Sequence, residues 1–397
     1  MDEGAGSGNS ILSKSLIRIL AFSAAVTIAN LYYIQPLLAE IAQTFQVSQV
    51  SVGFVAMLTQ IGYALGMLTL LPLADIKEKK FLIVLLLFCS TGSLLLMAFS
   101  PNITVLAVAS FAVGFSSVVP QLIIPLAAQL APPRERGRII GSVMSGLLIG
   151  ILVSRTFSGF VGQYSNWRYV YIIAAVLMVV LAVFLNRALP TCPPVSKIKY
   201  SKLFTTMFHL LKTLPVLQEA AISGAMMFAA FSAFWTTLVF LLESPHYNLG
   251  ADVAGLFGLV GVAGAFIAPV AGRLADKRNP KFTVGFGMII VILSFVCFFI
   301  FGYQFWGLIV GVILLDVGIQ ACMISNQARI HSLGDEARNR INTIYMVSYF
   351  IGGALGSLLG SYFYAGFGWW GVCIFGLSTQ LVAVVNHRAH KSAPAQA

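Results

Sequence analysis

Twelve stretches of this chain are apolar over the roughly 17–25 residues a helix needs to cross a hydrocarbon core about 30 Å thick. They lie near 17–38, 48–74, 81–99, 103–130, 138–163, 168–186, 215–242, 251–275, 281–302, 305–331, 340–366 and 369–386. The third (FLIVLLLFCSTGSLLLMAF) and the sixth (YVYIIAAVLMVVLAVFLN) are the plainest. The rest of the composition agrees. Of 397 residues only 24 are Lys or Arg and 13 Asp or Glu, about 9% charge against roughly 25% in an ordinary soluble domain. That supply cannot solvate a folded surface of this size, so the expected fold is all-α and integral to a membrane, with twelve transmembrane helices. A β-barrel would show ten-residue segments of alternating polarity, and none occur. The first run lacks a clear small-residue cleavage site and continues into a full span, so no cleavable signal peptide is expected.

Charge placement sets the orientation. With the N-terminus placed in the cytoplasm, all but two of the 24 Lys and Arg residues fall on the inner side. The exceptions are Arg168 at an outer edge and Arg155 within the fifth span. The loops QTFQVSQV, SPNIT, ESPHYNLGAD, GYQ and AGFGWW are almost bare of cations, which is the positive-inside pattern. The net charge of +11 is therefore read as facing anionic membrane lipid, not nucleic acid. The expectation is a multi-pass inner-membrane protein with both termini cytoplasmic. Five cysteines, an odd number, with Cys89, Cys297, Cys322 and Cys373 inside apolar runs, exclude a disulfide-stapled secreted protein.

The chain also repeats itself. At an offset of 202, Arg138 meets Arg340, Gly150 meets Gly352 and Trp167 meets Trp369; at 201, Asp75 meets Asp276. Six spans followed by six in the same orientation is a parallel duplication of the kind transporters use. The expected organisation is a tail over 1–16, a six-helix bundle over 17–188, a cytoplasmic linker over 189–214, a second pseudo-symmetric bundle over 215–386 and a tail over 387–397. Within the linker, SKLFTTMFHLLK reads either as a short interfacial helix, with Leu203, Phe204, Met207, Phe208 and Leu211 toward lipid, or as a solvated connection.

These features resemble the major facilitator superfamily over essentially the whole chain, and in particular its bacterial twelve-span proton-coupled drug and metabolite exporters. The family's loop signature, G-x-L-A-D-R/K-x-G-R-K/R, is matched well after the eighth span by GRLADKRNPK (Gly272, Asp276, Lys277, Arg278). It is degraded after the second, where Asp75, Lys79 and Lys80 remain but Leu71 replaces the glycine. The resemblance implies that these residues form an inner gate. The fifth-span exporter pattern G-x-x-x-G-P-x-x-G-G is met in part by Gly146, Gly150 and Gly159, with Ile151 where the proline belongs. Small residues four apart let helices approach closely, and Gly62, Gly66, Gly352, Gly356 and Gly360 repeat the theme as packing glycines that let two bundles rock.

Two ionisable residues stand deep within spans, Arg155 and Asp316. Each costs at least about 2.5–3.5 kcal/mol there on insertion scales, so each is a functional candidate by default. Asp316 lies about eleven residues into the tenth span, and in the resembled family the first, fourth, seventh and tenth spans line the central cavity. Asp316 with Arg155 is thus the expected proton-coupling pair. Three roles stay open for Arg155: counter-ion of Asp316, ligand for an anionic substrate group, or partner of backbone carbonyls. Candidate cavity residues are Asn30, Tyr32, Tyr33 and Gln35 in the first span, where Pro36 breaks the helix ladder, and Gln121 in the fourth. Phe231 and Trp235 in the seventh, Gln320 in the tenth, and Tyr345 and Tyr349 in the eleventh complete the set. Glu40 is placed at the outer interface, solvated, and Trp369 and Trp370 as interfacial anchors.

No Gly-Lys dipeptide occurs, so no phosphate-binding loop for an ATP-driven pump exists. The five histidines fall at or beyond span ends, which argues against an enzyme and against a metal site. No cofactor is implied. The expected function is a secondary carrier working by alternating access as a monomer, with protons, membrane lipid and a small organic molecule as partners. Proton-coupled efflux leads; a proton symporter importing a metabolite uses the same parts, and a non-transporting membrane receptor or scaffold is the alternative of a different class.

Overall fold

The computed structural model describes residues 14–132, 135–191, 200–261, 280–334 and 337–390, without the side chains of Asp75 and residues 201–203. Among the described residues there is no strand. In chain order the helices are α1 (Lys14–Ala29), α2 (Ile34–Phe45), α3 (Gln49–Ile76), α4 (Lys79–Ala98), α5 (Ile103–Ser116), α6 (Val119–Leu130), α7 (Arg136–Tyr164), α8 (Trp167–Ala188), α9 (Tyr200–Thr213) and α10 (Pro215–Leu242). Then come α11 (Ala251–Gly261), α12 (Pro280–Phe301), α13 (Phe305–His331) and α14 (Arg338–Ala389). Ten helical segments among the described residues are long and apolar enough to cross a membrane. α14 holds the eleventh and twelfth expected spans, parted at Gly368, whose φ of 62° is one glycine adopts without penalty. α11 covers the start of the expected eighth span.

Local chemistry sets the ends at the loop-poor face. Ser48, Asn102 and Asn166 cap α3, α5 and α8, each side chain accepting a backbone N–H of the first turn. The first span is interrupted, but not at Pro36: the ladder is broken over residues 30–33, and Pro36 sits in the first turn of α2, where a missing N–H costs nothing. The fourth span is interrupted at residues 117–118. The two breaks are tied together, Asn30 Nδ2 donating to Ser117 Oγ at 3.3 Å. Helices broken at membrane depth mark cavities, because freed backbone groups need protein or water.

The outward surface is apolar: Phe81, Phe99, Val176, Ile289 and Ile300 are all more than half exposed. The packing glycines work inside each half. A Cβ on Gly146 or Gly150 would collide with the backbone of Ala21 or Ala25 in α1, and one on Gly352 or Gly356 with Ala225 or Ala229 in α10. Gly62 and Gly66 press in the same way on Phe111 and Phe115 of α5. These contacts lock helices within a half and leave motion between halves to other surfaces. Trp369 is 1% exposed, its Nε1 donating to the Phe298 carbonyl at 3.1 Å; it is a packing residue rather than an interfacial anchor, while Trp370 is exposed. In the linker, α9 is helical, with Phe208 exposed, Met207 turned inward and Tyr200 Oη donating to the Thr69 carbonyl at 2.7 Å.

Candidate functional site

A cavity of about 350 Å³ lies between the halves, lined by Tyr32, Tyr63, Gln121, Arg155, Phe228, Phe231, Gln320 and Tyr349 among others, with Asp316 on its wall. Its volume is in the range of small-molecule sites. Gln121, Ile124, Ile140, His331 and Asn342 also line a second space of about 350 Å³ whose rim carries Lys79, Arg338 and Arg340. The cavity is therefore continuous with the basic end of the molecule.

The opposite end is shut. Gln43 Nε2 donates to Glu243 Oε2 at 3.3 Å, Thr156 Oγ1 to the Gly255 carbonyl at 3.0 Å, and the Ala251 N–H to Gln163 Oε1 at 3.0 Å. Tyr164 Oη donates to Asp252 at 3.2 Å. Gly159 and Gly255 let α7 and α11 touch backbone to backbone. Beneath this closure the space lined by Gln35, Trp235 and Ala254 measures about 10 Å³, too little to pass a solute.

Arg155 is 1% exposed. Its Nε donates to Gln35 Oε1 at 2.7 Å, and its guanidinium lies 4.0 Å from the ring centre of Trp235, 4.9 Å from Tyr32 and 5.7 Å from Phe231. These aromatic faces favour the charge. Among the described residues its Nη2 has no hydrogen-bond partner, and neither does Asp316 Oδ2. No ion pair within 4.0 Å joins Arg155 to Asp316 among the described residues, and no backbone carbonyl accepts from Arg155. Two glycines of α11 make room for them. A Cβ at position 261 would come within 2.8 Å of Asp316 Oδ2, and one at 258 within 3.1 Å of Arg155 Cβ.

Of the residues singled out from sequence, Tyr32, Gln121, Arg155, Phe231, Asp316, Gln320 and Tyr349 share the cavity. Gln35 and Trp235 hold Arg155 from the closed side. Asn30 ties the helix breaks, Tyr33 packs on Phe157 with ring centres 5.9 Å apart, and Tyr345 is buried against Gly224; these three do not line the cavity. Glu40 is half-buried and accepts the Trp167 N–H at 3.2 Å, so it is not free in solvent. Of the expected inner gate, Gly272, Asp276, Lys277, Arg278 and the Asp75 side chain lie outside the described residues. Lys79 is buried and donates to Gln129 at 2.7 Å, and Lys80 is half-buried.

Sequence reasoning missed three features. Tyr63 and Phe350 meet at 4.5 Å between ring centres, joining the second span to the eleventh. Gln60 Nε2 donates to Ser357 Oγ at 2.7 Å across the same seam; an amide in an apolar run was the available signal. Glu219 is a further buried acid, 2% exposed, paired with Arg329 at 2.5 Å and His387 at 2.6 Å. Its place near a span end hid it.

A family model described as Major Facilitator Superfamily matches residues 20–333. The chain belongs to this superfamily. A major facilitator protein is a multi-pass membrane transporter of small molecules and not an enzyme, and the helices described above fit that fold. Among relatives, a protein of Escherichia coli O157:H7 named "Uncharacterized transporter YgaY" is 39% identical over 374 residues, covering 94% of this chain and 95% of that one. A "Probable sugar efflux transporter" of Helicobacter pylori strain G27 is 26% identical over 355 residues, covering 87% and 88%. A solved bacterial homologue of the human lysosomal transporter Spinster, inward-facing and unoccupied, superposes with a TM-score of 0.72 at 16% identity, covering 97% of this chain and 96% of that one. That last likeness concerns the fold.

Proposed function

We propose that this transporter is a proton-coupled exporter of a small organic molecule, working by alternating access as a monomer in the inner membrane with both termini in the cytoplasm. The observation that carries the reading is a carboxylate, Asp316, whose Oδ2 has no hydrogen-bond partner among the described residues, in a cavity continuous with one end of the molecule and sealed from the other. The basic residues gather at the open end, so the positive-inside rule makes this an inward-open state. A buried carboxylate is stabilised in its neutral form by desolvation and in its ionised form by water or a cation. A cavity that faces the two sides by turns varies both influences, and so lets Asp316 take a proton on one side and release it on the other.

Efflux is preferred over import because a relative covering most of the chain carries an efflux name. Lys79 at the cavity rim, with Lys80, Asp75 and the second loop of Gly272, Asp276, Lys277 and Arg278, would close the inner side in the alternate state.

Asp316→Asn tests the coupling. In proteoliposomes carrying an internal pH reporter, the wild-type protein should move protons when a transported solute is added, and the variant, inserted at the wild-type level, should move none. Undiminished solute-evoked proton movement in a correctly inserted variant removes Asp316 from the mechanism.

A further inference from the structure

Arg155 and Asp316 line one cavity, carry opposite charges and do not pair. Each keeps one atom without a hydrogen-bond partner among the described residues, Nη2 of Arg155 and Oδ2 of Asp316, in residues 1% and 8% exposed. Aromatic rings favour the Arg155 charge, but leaving a hydrogen-bonding atom of each charged group unsatisfied in the interior is costly. The fold nevertheless enforces the separation. Gln35 and the rings of Trp235 and Tyr32 hold the guanidinium where it stands, and Gly261 keeps the space beside Asp316 open. The same cavity is lined by Phe228 and Tyr349, whose rings stack at 4.1 Å.

We propose that the substrate is a small amphipathic zwitterion, its carboxylate on Arg155, its ammonium group on Asp316 and its apolar body against the Phe228–Tyr349 wall. The alternatives match less of the site. A simple cation meets Arg155, a simple anion meets an ionised Asp316, and a neutral sugar can hydrogen-bond both orphaned atoms through its hydroxyls but neutralises neither charge. The inference rests on the carrier reading above and deepens it. A proton on Asp316 removes the charge that the ammonium group needs, so proton and substrate compete for one carboxylate. Such competition is sufficient for exchange without a second coupling site.

The test uses the full chain in nanodiscs and reads ligand-induced thermal stabilisation. The probes are glycine, L-leucine, L-phenylalanine, L-tryptophan and the dipeptide phenylalanyl-leucine, each with its C-terminal amide and its N-acetyl form, and lactose as the neutral control. At least one of the larger zwitterions should stabilise the protein, with each capped form at least tenfold weaker in apparent affinity. Arg155→Gln should bind the amide as well as the parent, Asp316→Asn should bind the N-acetyl form as well as the parent, and Arg155→Lys should restore the wild-type preference. The unliganded melting curve of each variant reports whether it folds. Absence of stabilisation by every zwitterion, equal binding of capped forms to the wild type, or stabilisation by lactose alone overturns the proposal. Proton movement measured in parallel separates the two readings. A zwitterion carried without protons sinks the coupling only, whereas proton movement evoked solely by neutral or singly charged solutes sinks the zwitterion only.

Discussion

Glu219 and Glu135 both sit in ion pairs, and the cost of losing each should differ sharply. The Glu135–Arg138 pair is more than half exposed on both sides, and such pairs are worth about 0–1 kcal/mol. Glu219 is 2% exposed and also holds His387, while Asn386 Nδ2 donates to its carbonyl at 3.2 Å. Removing one partner strands Arg329, at about 3–5 kcal/mol. Glu219→Gln should therefore lower the melting temperature in detergent markedly, and Glu135→Gln should leave it within error. Glu243, just beyond the end of α10, gives a pH prediction. Burial first, and then the neighbouring Glu40 carboxylate, push it up to about 7 at the closed end, while water in an open end would return it toward an ordinary carboxylate. Closure thus binds a proton: its stabilisation is complete below about 4.5 and fades as pH rises through about 7. Spin labels at positions 101 and 303 should report a larger open fraction at pH 8 than at pH 5 in the wild type, and no such change in Glu243→Gln. Arg155 and Asp316 were legible as isolated charges in apolar runs. Glu219 was not, because a charge near a span end looks solvated until its partners from α13 and α14 are in place.

At the scale of elements, closely seated helix pairs recur with the sequence repeat. Gly150 admits Ala25 of α1 to α7, and Gly352 admits Ala225 of α10 to α14. A methyl group at either position meets backbone that cannot swing aside, and overpacking of this kind costs about 1–3 kcal/mol. Gly150→Ala and Gly352→Ala should each destabilise the protein in a thermal-unfolding assay. Gly92→Ala, with nothing within 4 Å of the added carbon, should be neutral or slightly stabilising. The spacing of these glycines announced close packing, but not with which neighbour. Sequence alone could not tell a contact inside a half, which stiffens it, from one between halves, which must come apart. The first-span break shows the same limit. Pro36 drew attention because it lacks an N–H, yet the ladder opens six residues earlier, where Asn30 has Ser117 to bind.

For the whole molecule, the closed end should be the moving part. Replacing Gln43 and Glu243 by cysteine in a background free of other cysteines, then joining them with a short bifunctional maleimide, should hold that face shut and abolish transport. Either single replacement treated alike should retain transport, and activity surviving the cross-link would mean that this end does not open. By itself the sequence determined the all-helical membrane fold, the charge asymmetry and the two interior charges. All of these follow from the cost of polar groups in hydrocarbon, which each residue bears wherever it packs. Only the tertiary structure decided that Arg155 is held by Gln35 and aromatic rings instead of by Asp316, that Asn30 and Tyr345 serve packing, and that one end is sealed while the other is open. Those outcomes depend on which faces of helices distant in sequence meet, and an apolar run accommodates several such meetings at nearly equal cost.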